Sequence, residues 1–200
     1  MEKETIKNRK NTEQLLLDAV QALVEENGFE GLGVNAVATK AGVSKMLIYR
    51  YFGSLDELIA AYIQQHDFWI NFNQELPDKE HLGEFIKNMF KQQITSMREN
   101  YTLRRLCRWE LSASNAITKQ LFEKREAKGI WLIDAVSRLT GHSQKEIAGI
   151  ATLLSAAITY LTLLEENCPA YNGIKLQQDK GWEQLEESID LLTDIWITKL

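Results

Sequence analysis

The stretch GVNAVATKAGVSKMLIYRYFGSLDEL, residues 33–58, constrains the fold more than any other part of the chain. Ala38 and Gly42 stand four apart, Val37 and Ala41 flank them on an apolar face, and Val43, Ile48 and Tyr51 follow. This spacing lets two short helices cross closely over a small residue, with a glycine free to take positive φ in the turn between them. The second helix then projects Ser44, Lys45, Met46, Leu47, Tyr49 and Arg50 outward. No acidic residue occurs between Glu30 and Asp56, the longest acid-free interval in the chain, and it carries Lys40, Lys45 and Arg50. A helix-turn-helix with such an outer surface can approach phosphates, so the segment reads as a DNA-reading element.

The remainder is read around that element. At 200 residues the chain has room for one large domain or two small ones. With two prolines, 11 glycines and helical apolar spacing nearly throughout, an all-α fold is expected. The net charge of −5 opposes a nucleic-acid partner only until it is divided. Residues 1–53 hold seven basic and seven acidic side chains, whereas residues 54–200 hold sixteen and twenty-one. Acidity away from the helix-turn-helix helps to reject DNA from the wrong face. Cys107 and Cys168 lack any metal-ligand spacing and read as free thiols of a reduced compartment. The opening MEKETIKNRKNTEQ is too polar for a signal peptide, which points to the cytoplasm. His66, His81 and His142 fall on different expected helices, and no nucleophile–base set can be assembled. The chain therefore reads as no enzyme, with no catalytic residue, metal or cofactor.

Helix signals divide the chain. Thr12 reads as the N-cap of a first helix whose apolar stripe is Leu15, Leu16, Ala19, Val20, Leu23 and Val24, ending at Asn27-Gly28. A second runs over about 34–41, and Ser44 caps a third that ends near Phe52. Ser54 and Glu57 form a capping-box pattern opening a fourth helix over about 55–73, and Pro77 breaks the chain. Longer helices are expected over about 82–98, 102–111, 115–139, 143–167 and 181–199, about nine in total, with a loop over 168–180. Two domains follow: a three-helix DNA-binding domain, 1–53, and a larger helical domain for ligand binding and dimerisation, 54–200.

With the helices placed, residues 12–62 resemble the DNA-binding domain of TetR-family transcriptional regulators. The helix-1 pattern, the AGVS turn at 41–44, the IYRYF segment at 48–52 and Ser54-x-x-Glu57-Leu58 occur in the order and spacing of that family. The resemblance implies a homodimer whose third helices enter successive major grooves of a palindromic, double-stranded operator. It also implies repression released by a small molecule bound in the C-terminal domain. Carried over by position, Lys45, Met46 and Leu47 face base edges, and Tyr49 and Tyr51 reach phosphates. Thr12 and the helix start near Val34 offer backbone N–H groups to phosphates. Ser44 and Arg50 complete the DNA-binding set. The chain departs from the family pattern at Met46, usually a small residue, at Gly33, often threonine, and at Leu55, often a lysine. Fewer phosphate contacts and a less common operator follow, with Met46 packed on a thymine methyl. Met46 and Leu55 are also what would favour the alternative, a helical protein-interaction module with a degenerate helix-turn-helix. Lys7, Arg9 and Lys10, interleaved with Glu2 and Glu4, read either as a solvated tail or as an arm reaching DNA.

Two further sets come from the C-terminal region. Large side chains with polar neighbours, Phe68, Phe72, Phe90, Arg105, Trp109 and Trp131, are the candidates for a pocket taking a mainly apolar or aromatic effector. Trp182, Leu185, Ile189, Leu192 and Trp196 repeat at 3-4-3-4 spacing and form a narrow seam. The stretch from Ile147 to Leu164 carries no charge, at the lower limit for a membrane span. Its threonines, Gly149 and acidic flanks favour a helix buried on two sides, by its own domain and by a partner, over a membrane helix. Ile150, Leu154, Ile158 and Leu161 on that helix, with Leu185, Ile189, Leu192 and Trp196, form the expected homodimer interface.

Overall fold

The computed structural model describes residues 2–72 and 75–198, with side chains from Arg9 to Trp196 among them. Ten α-helices follow one another: α1 (Glu2–Asn27), α2 (Val34–Ala41), α3 (Met46–Phe52), α4 (Leu55–His66), α5 (Phe68–Asn71), α6 (Leu82–Glu99), α7 (Tyr101–Ser112), α8 (Ala116–Thr140), α9 (Gln144–Leu164) and α10 (Asp179–Thr198). A single 3-10 turn, Phe29–Gly31, lies between the first two helices, and no strand forms among the described residues. The all-α expectation holds.

Two helix ends differ from the sequence reading. Thr12 does not cap α1, which begins ten residues earlier, at Glu2. No glycine or proline interrupts residues 2–27, and the exposed side is held by i, i+4 pairs from Arg9 to Glu13, Gln14 to Asp18 and Gln21 to Glu25. Thr12 therefore lies inside the helix, where its N–H belongs to the helical ladder rather than to a phosphate. Lys7, Arg9 and Lys10 likewise sit on α1 rather than on a tail, although the side chain of Lys7 lies outside the described residues. The fourth helix stops at His66 because Asp67 turns extended, at φ −73 and ψ 124. The Asp67 carboxylate then accepts from the Ile70 N–H at 2.8 Å, which opens the extra helix α5. Asn73 and Lys199, the expected ends of two helices, lie outside the described residues.

The chain packs as two compact units: Met1–Asn71 with Tyr101–Lys124, and Phe72–Asn100 with Arg125–Leu200. The sequence division at 53/54 follows the DNA-reading motif, whereas compactness divides the chain elsewhere. In the first unit α1 buries Leu16, Val20 and Val24 completely, against Val37 of α2, Ile48 of α3 and Leu58 of α4. Tyr62, Leu103 and Leu106 complete this core from α4 and α7.

In the second unit α6 packs against both α9 and α10. It buries Ile86, Met89, Phe90, Ile94 and Met97 and places charges along its edges. Lys87 pairs with Asp194 and Lys91 with Asp190, each at 2.7 Å, while Arg98 reaches Glu165 and Asp179. The buried Gln93 donates to the Ser155 hydroxyl at 3.1 Å and the Thr159 hydroxyl at 3.3 Å, which fixes the face that α9 turns inward. In the first turn of α10, the Trp182 indole N–H donates back to the Leu176 carbonyl at 2.7 Å, and both side chains are buried. At Gly181 a Cβ would fall 2.2 Å from the Lys175 carbonyl oxygen, so only glycine allows this approach.

Candidate nucleic-acid interface

The turn between α2 and α3 is built as its sequence requires. Gly42 adopts φ 66, and the Val43 N–H donates back to the Ala38 carbonyl at 3.0 Å, closing the end of α2. A Cβ at Gly42 would meet nothing within 4 Å, so the constraint is conformational, not steric crowding. The chain then enters α3 through Ser44, whose carbonyl accepts from the Leu47 N–H at 2.9 Å and whose hydroxyl accepts from the Met46 N–H at 3.4 Å. Ile48, with no exposed surface, anchors α3 to the core. That anchor fixes the opposite face outward. Ser44, Lys45, Met46, Tyr49 and Arg50 are exposed there, with Met46 at 65% and Tyr49 at 47%, while Leu47 and Tyr51 are half-buried.

Charge sharpens this face. Lys40, one of three cations in the acid-free interval, is ion-paired to Glu26 of α1. Its sequence neighbourhood gave no sign of this, because the acid lies fourteen residues away. Lys45 and Arg50 make no ion pair among the described residues. Gly33 precedes α2 and has no side chain with which to cap it. The first-turn N–H groups beginning at Val34 are therefore left to solvent or to an anion. Ser54 accepts from the Glu57 N–H at 3.1 Å and starts α4 directly behind α3. Tyr51 lies beneath two guanidiniums, those of Arg9 at 5.5 Å and Arg50 at 5.8 Å from the ring centroid.

A helix-turn-helix on this frame, with an uncompensated basic outer face, is a DNA reader. Residues 16–62 match the family model described as "Bacterial regulatory proteins, tetR family". Residues 16–62 are a DNA-binding domain of that family's type. The chain acts as a DNA-binding transcriptional regulator. A crystal structure of a HlyIIR mutant protein, with one segment substituted by a linker containing two thrombin sites, shares the fold. The likeness has a TM-score of 0.56 at 16% identity and covers 91% of this chain and 96% of that one. No curated protein matches the sequence.

The residues expected to line an effector pocket are divided between the two units. Phe68, Arg105 and Trp109 fall in the first unit, and Phe72, Phe90 and Trp131 in the second. Trp109 stacks on Phe29 with centroids 4.8 Å apart, and Arg105 donates to the Tyr101 hydroxyl. Phe68 meets Trp69 edge-on and Phe72 meets Phe85 in the same way, while Phe90 is core. Trp131 is 46% exposed beneath Lys128. Sequence reasoning missed Phe29, Tyr62 and His66. Tyr62 lies 4.5 Å from the His66 ring and 6.5 Å from that of Phe29. The signal for Phe29 was its place directly after the Gly28 helix stop.

The expected dimer set is also divided. Ile158 and Ile189 belong to the core of their own unit, at 4% and 6% exposure, so they have little surface left for a partner. Ile150, Leu154, Leu161, Leu185 and Trp196 are half-buried. Leu192, of the expected set, is exposed, and Leu153 and Tyr160 on α9 with Leu191 and Ile195 on α10 are exposed apolar residues outside that set. By length and composition α9 could cross a membrane. Among the described residues no cluster of His, Cys, Asp or Glu is arranged to hold a metal.

Proposed function

We propose that this regulator is a homodimeric repressor released from its operator by a small, mainly apolar or aromatic effector. Residues 1–53 form the DNA-reading part and residues 54–200 serve ligand binding and dimerisation. Lys45, Met46 and Leu47 meet base edges. Ser44, Tyr49, Arg50, Tyr51 and the N-terminus of α2 at Val34 meet phosphates. The observation that carries this reading is the outer face of α3, where Lys45 and Arg50 form no ion pair among the described residues on a helix locked by Ile48.

A second copy covers the free apolar surface of α9 and α10, with Leu153, Tyr160, Leu191, Leu192 and Ile195 at its centre and Leu154, Leu185 and Trp196 beside them. A large exposed apolar surface favours a protein partner, and a two-fold pairing places two recognition helices against half-sites about 34 Å apart. The effector acts through Trp109. This ring stacks on Phe29 in the 3-10 turn between α1 and α2, so a ligand that moves it shifts the base on which α2 and α3 stand. The work is binding, not catalysis, and it takes place in the cytoplasm.

Fluorescence anisotropy with the promoter beside the protein's own gene tests the DNA surface. Lys45→Ala and Tyr49→Ala should each weaken binding, and Lys45→Ala should flatten its salt dependence. Unchanged affinity and salt slope in both variants would remove α3 from the interface. Failure of the wild-type chain to prefer any duplex sequence would point instead to a protein-interaction module.

A further inference from the structure

We propose that Arg9 of α1 is a phosphate-gripping residue of the DNA interface, with Glu13 as its built-in competitor. The inference rests on the reading of α3 as the DNA-facing helix and adds to it a residue from another helix. Arg9 and Arg50, from α1 and α3, converge on the single ring of Tyr51, with their Cζ atoms 5.5 and 5.8 Å from its centroid. The Nε–H of Arg9 donates to Glu13 Oε1 at 2.7 Å, and the Arg9 side chain remains 58% exposed. Its two terminal nitrogens take no partner among the described residues, and the Arg50 guanidinium forms no hydrogen bond or ion pair there.

A phenol ring holds a guanidinium in place through its quadrupole but does not neutralise it. Two cations gathered on one ring therefore repel each other. Glu13 compensates only one of them, so the site keeps a net positive charge. An anion with several acceptor oxygens relieves the repulsion and takes the free N–H donors, whose planar fork matches a phosphate edge. The occupant that fits is a phosphodiester of the DNA backbone. The site is open to solvent, and Tyr51 belongs to the helix that carries Lys45 and Tyr49 outward. Among the described residues Glu13 is the only acid bonded to the pair. It holds Arg9 pre-oriented when DNA is absent and competes for its Nε–H when DNA is bound.

Anisotropy of a labelled random-sequence duplex, titrated with KCl, reads the contact. Arg9→Ala should lower the slope of log K against log salt by about one, as should Arg9→Gln, with melting curves like those of the wild type. Between about 50 and 200 mM salt the wild type should then lose roughly three- to fourfold more affinity than the variant. Glu13→Gln should tighten binding, but not in a chain that already carries Arg9→Ala. A wild-type slope in both Arg9 variants, with Lys45→Ala lowered, overturns this proposal and leaves the reading of α3 standing. A slope unmoved by Lys45→Ala as well overturns both. Stabilisation of the wild type by millimolar inorganic phosphate, absent in Arg9→Ala and accompanied by an unchanged DNA slope, would assign the site to a free anion and also overturn it.

Discussion

Leu153→Ala should loosen the dimer strongly while sparing the fold. Leu153 is 73% exposed and Leu191 60%, so most of what either can bury is still unburied in one copy of the chain. Complete burial of a leucine side chain is worth about 1.5–3 kcal/mol, and roughly three-quarters of that, about 1–2 kcal/mol, remains for Leu153 to gain from a partner. A two-fold interface uses the residue twice, so the loss is about 2–4 kcal/mol per dimer. At tenfold per 1.4 kcal/mol this raises the dimer Kd by roughly 30- to 700-fold. Sedimentation equilibrium across a concentration series measures that Kd, and thermal melting under monomeric conditions checks that the fold is intact. Ile189→Ala serves as the contrast. With 6% exposure it should lower the melting temperature of the unit and leave little direct effect on association. Unchanged association in both Leu153→Ala and Leu191→Ala would refute the assignment of this surface to a second copy.

Three further outcomes follow from the packing. Ile48→Ala removes the fully buried anchor of α3 and should cost about 2–5 kcal/mol in urea unfolding, with loss of DNA binding; a loss below about 1 kcal/mol would contradict the anchoring role. Burial lowers the His66 imidazole below its ordinary 6.5, against the raising pull of Glu25. The folded chain thus takes up this proton less readily than the unfolded one. Stability present above about pH 6.5 should fall as the pH drops through the depressed folded value, and His66→Gln should flatten that slope. An identical slope in the variant would contradict this. Gly181→Ala forces a Cβ against the Lys175 carbonyl and should cost about 1–3 kcal/mol, read as a drop in melting temperature; an unchanged melt would show that the loop is not pinned there.

Much of this fold was legible because its punctuation is local. Gly33 and Gly42 bracket α2, and its limits, Val34–Ala41, fall where the sequence places them. Ser143 and Glu146 likewise form both bonds of a capping box at the start of α9. What escaped notice depends on partners remote in sequence or on side-chain chemistry that apolar periodicity does not carry. Thr12 has the chemistry of a cap, yet α1 runs through it from Glu2, with the Arg9–Glu13 and Gln14–Asp18 pairs on either side. Asp67 stops α4 without any glycine or proline to announce it. On α9 two apolar faces compete, and periodicity alone does not choose between them. Gln93 does, by drawing Ser155 and Thr159 inward, which turns Ile158 into core and leaves Leu153 and Tyr160 outside. The exposed face of α3 was legible from the spacing of its apolar residues, but its charge balance was not, since the Lys40–Glu26 pair and the Arg9–Tyr51 contact join different helices.

The most direct test of the central claim is a selection of random-sequence duplexes by the full chain, followed by sequencing of what is retained. The account predicts an inverted repeat whose half-site centres lie about 34 Å, roughly ten base pairs, apart, and its disappearance in Lys45→Ala. No enriched sequence, or an enriched repeat that Lys45→Ala and Tyr49→Ala both retain with wild-type affinity, would contradict it.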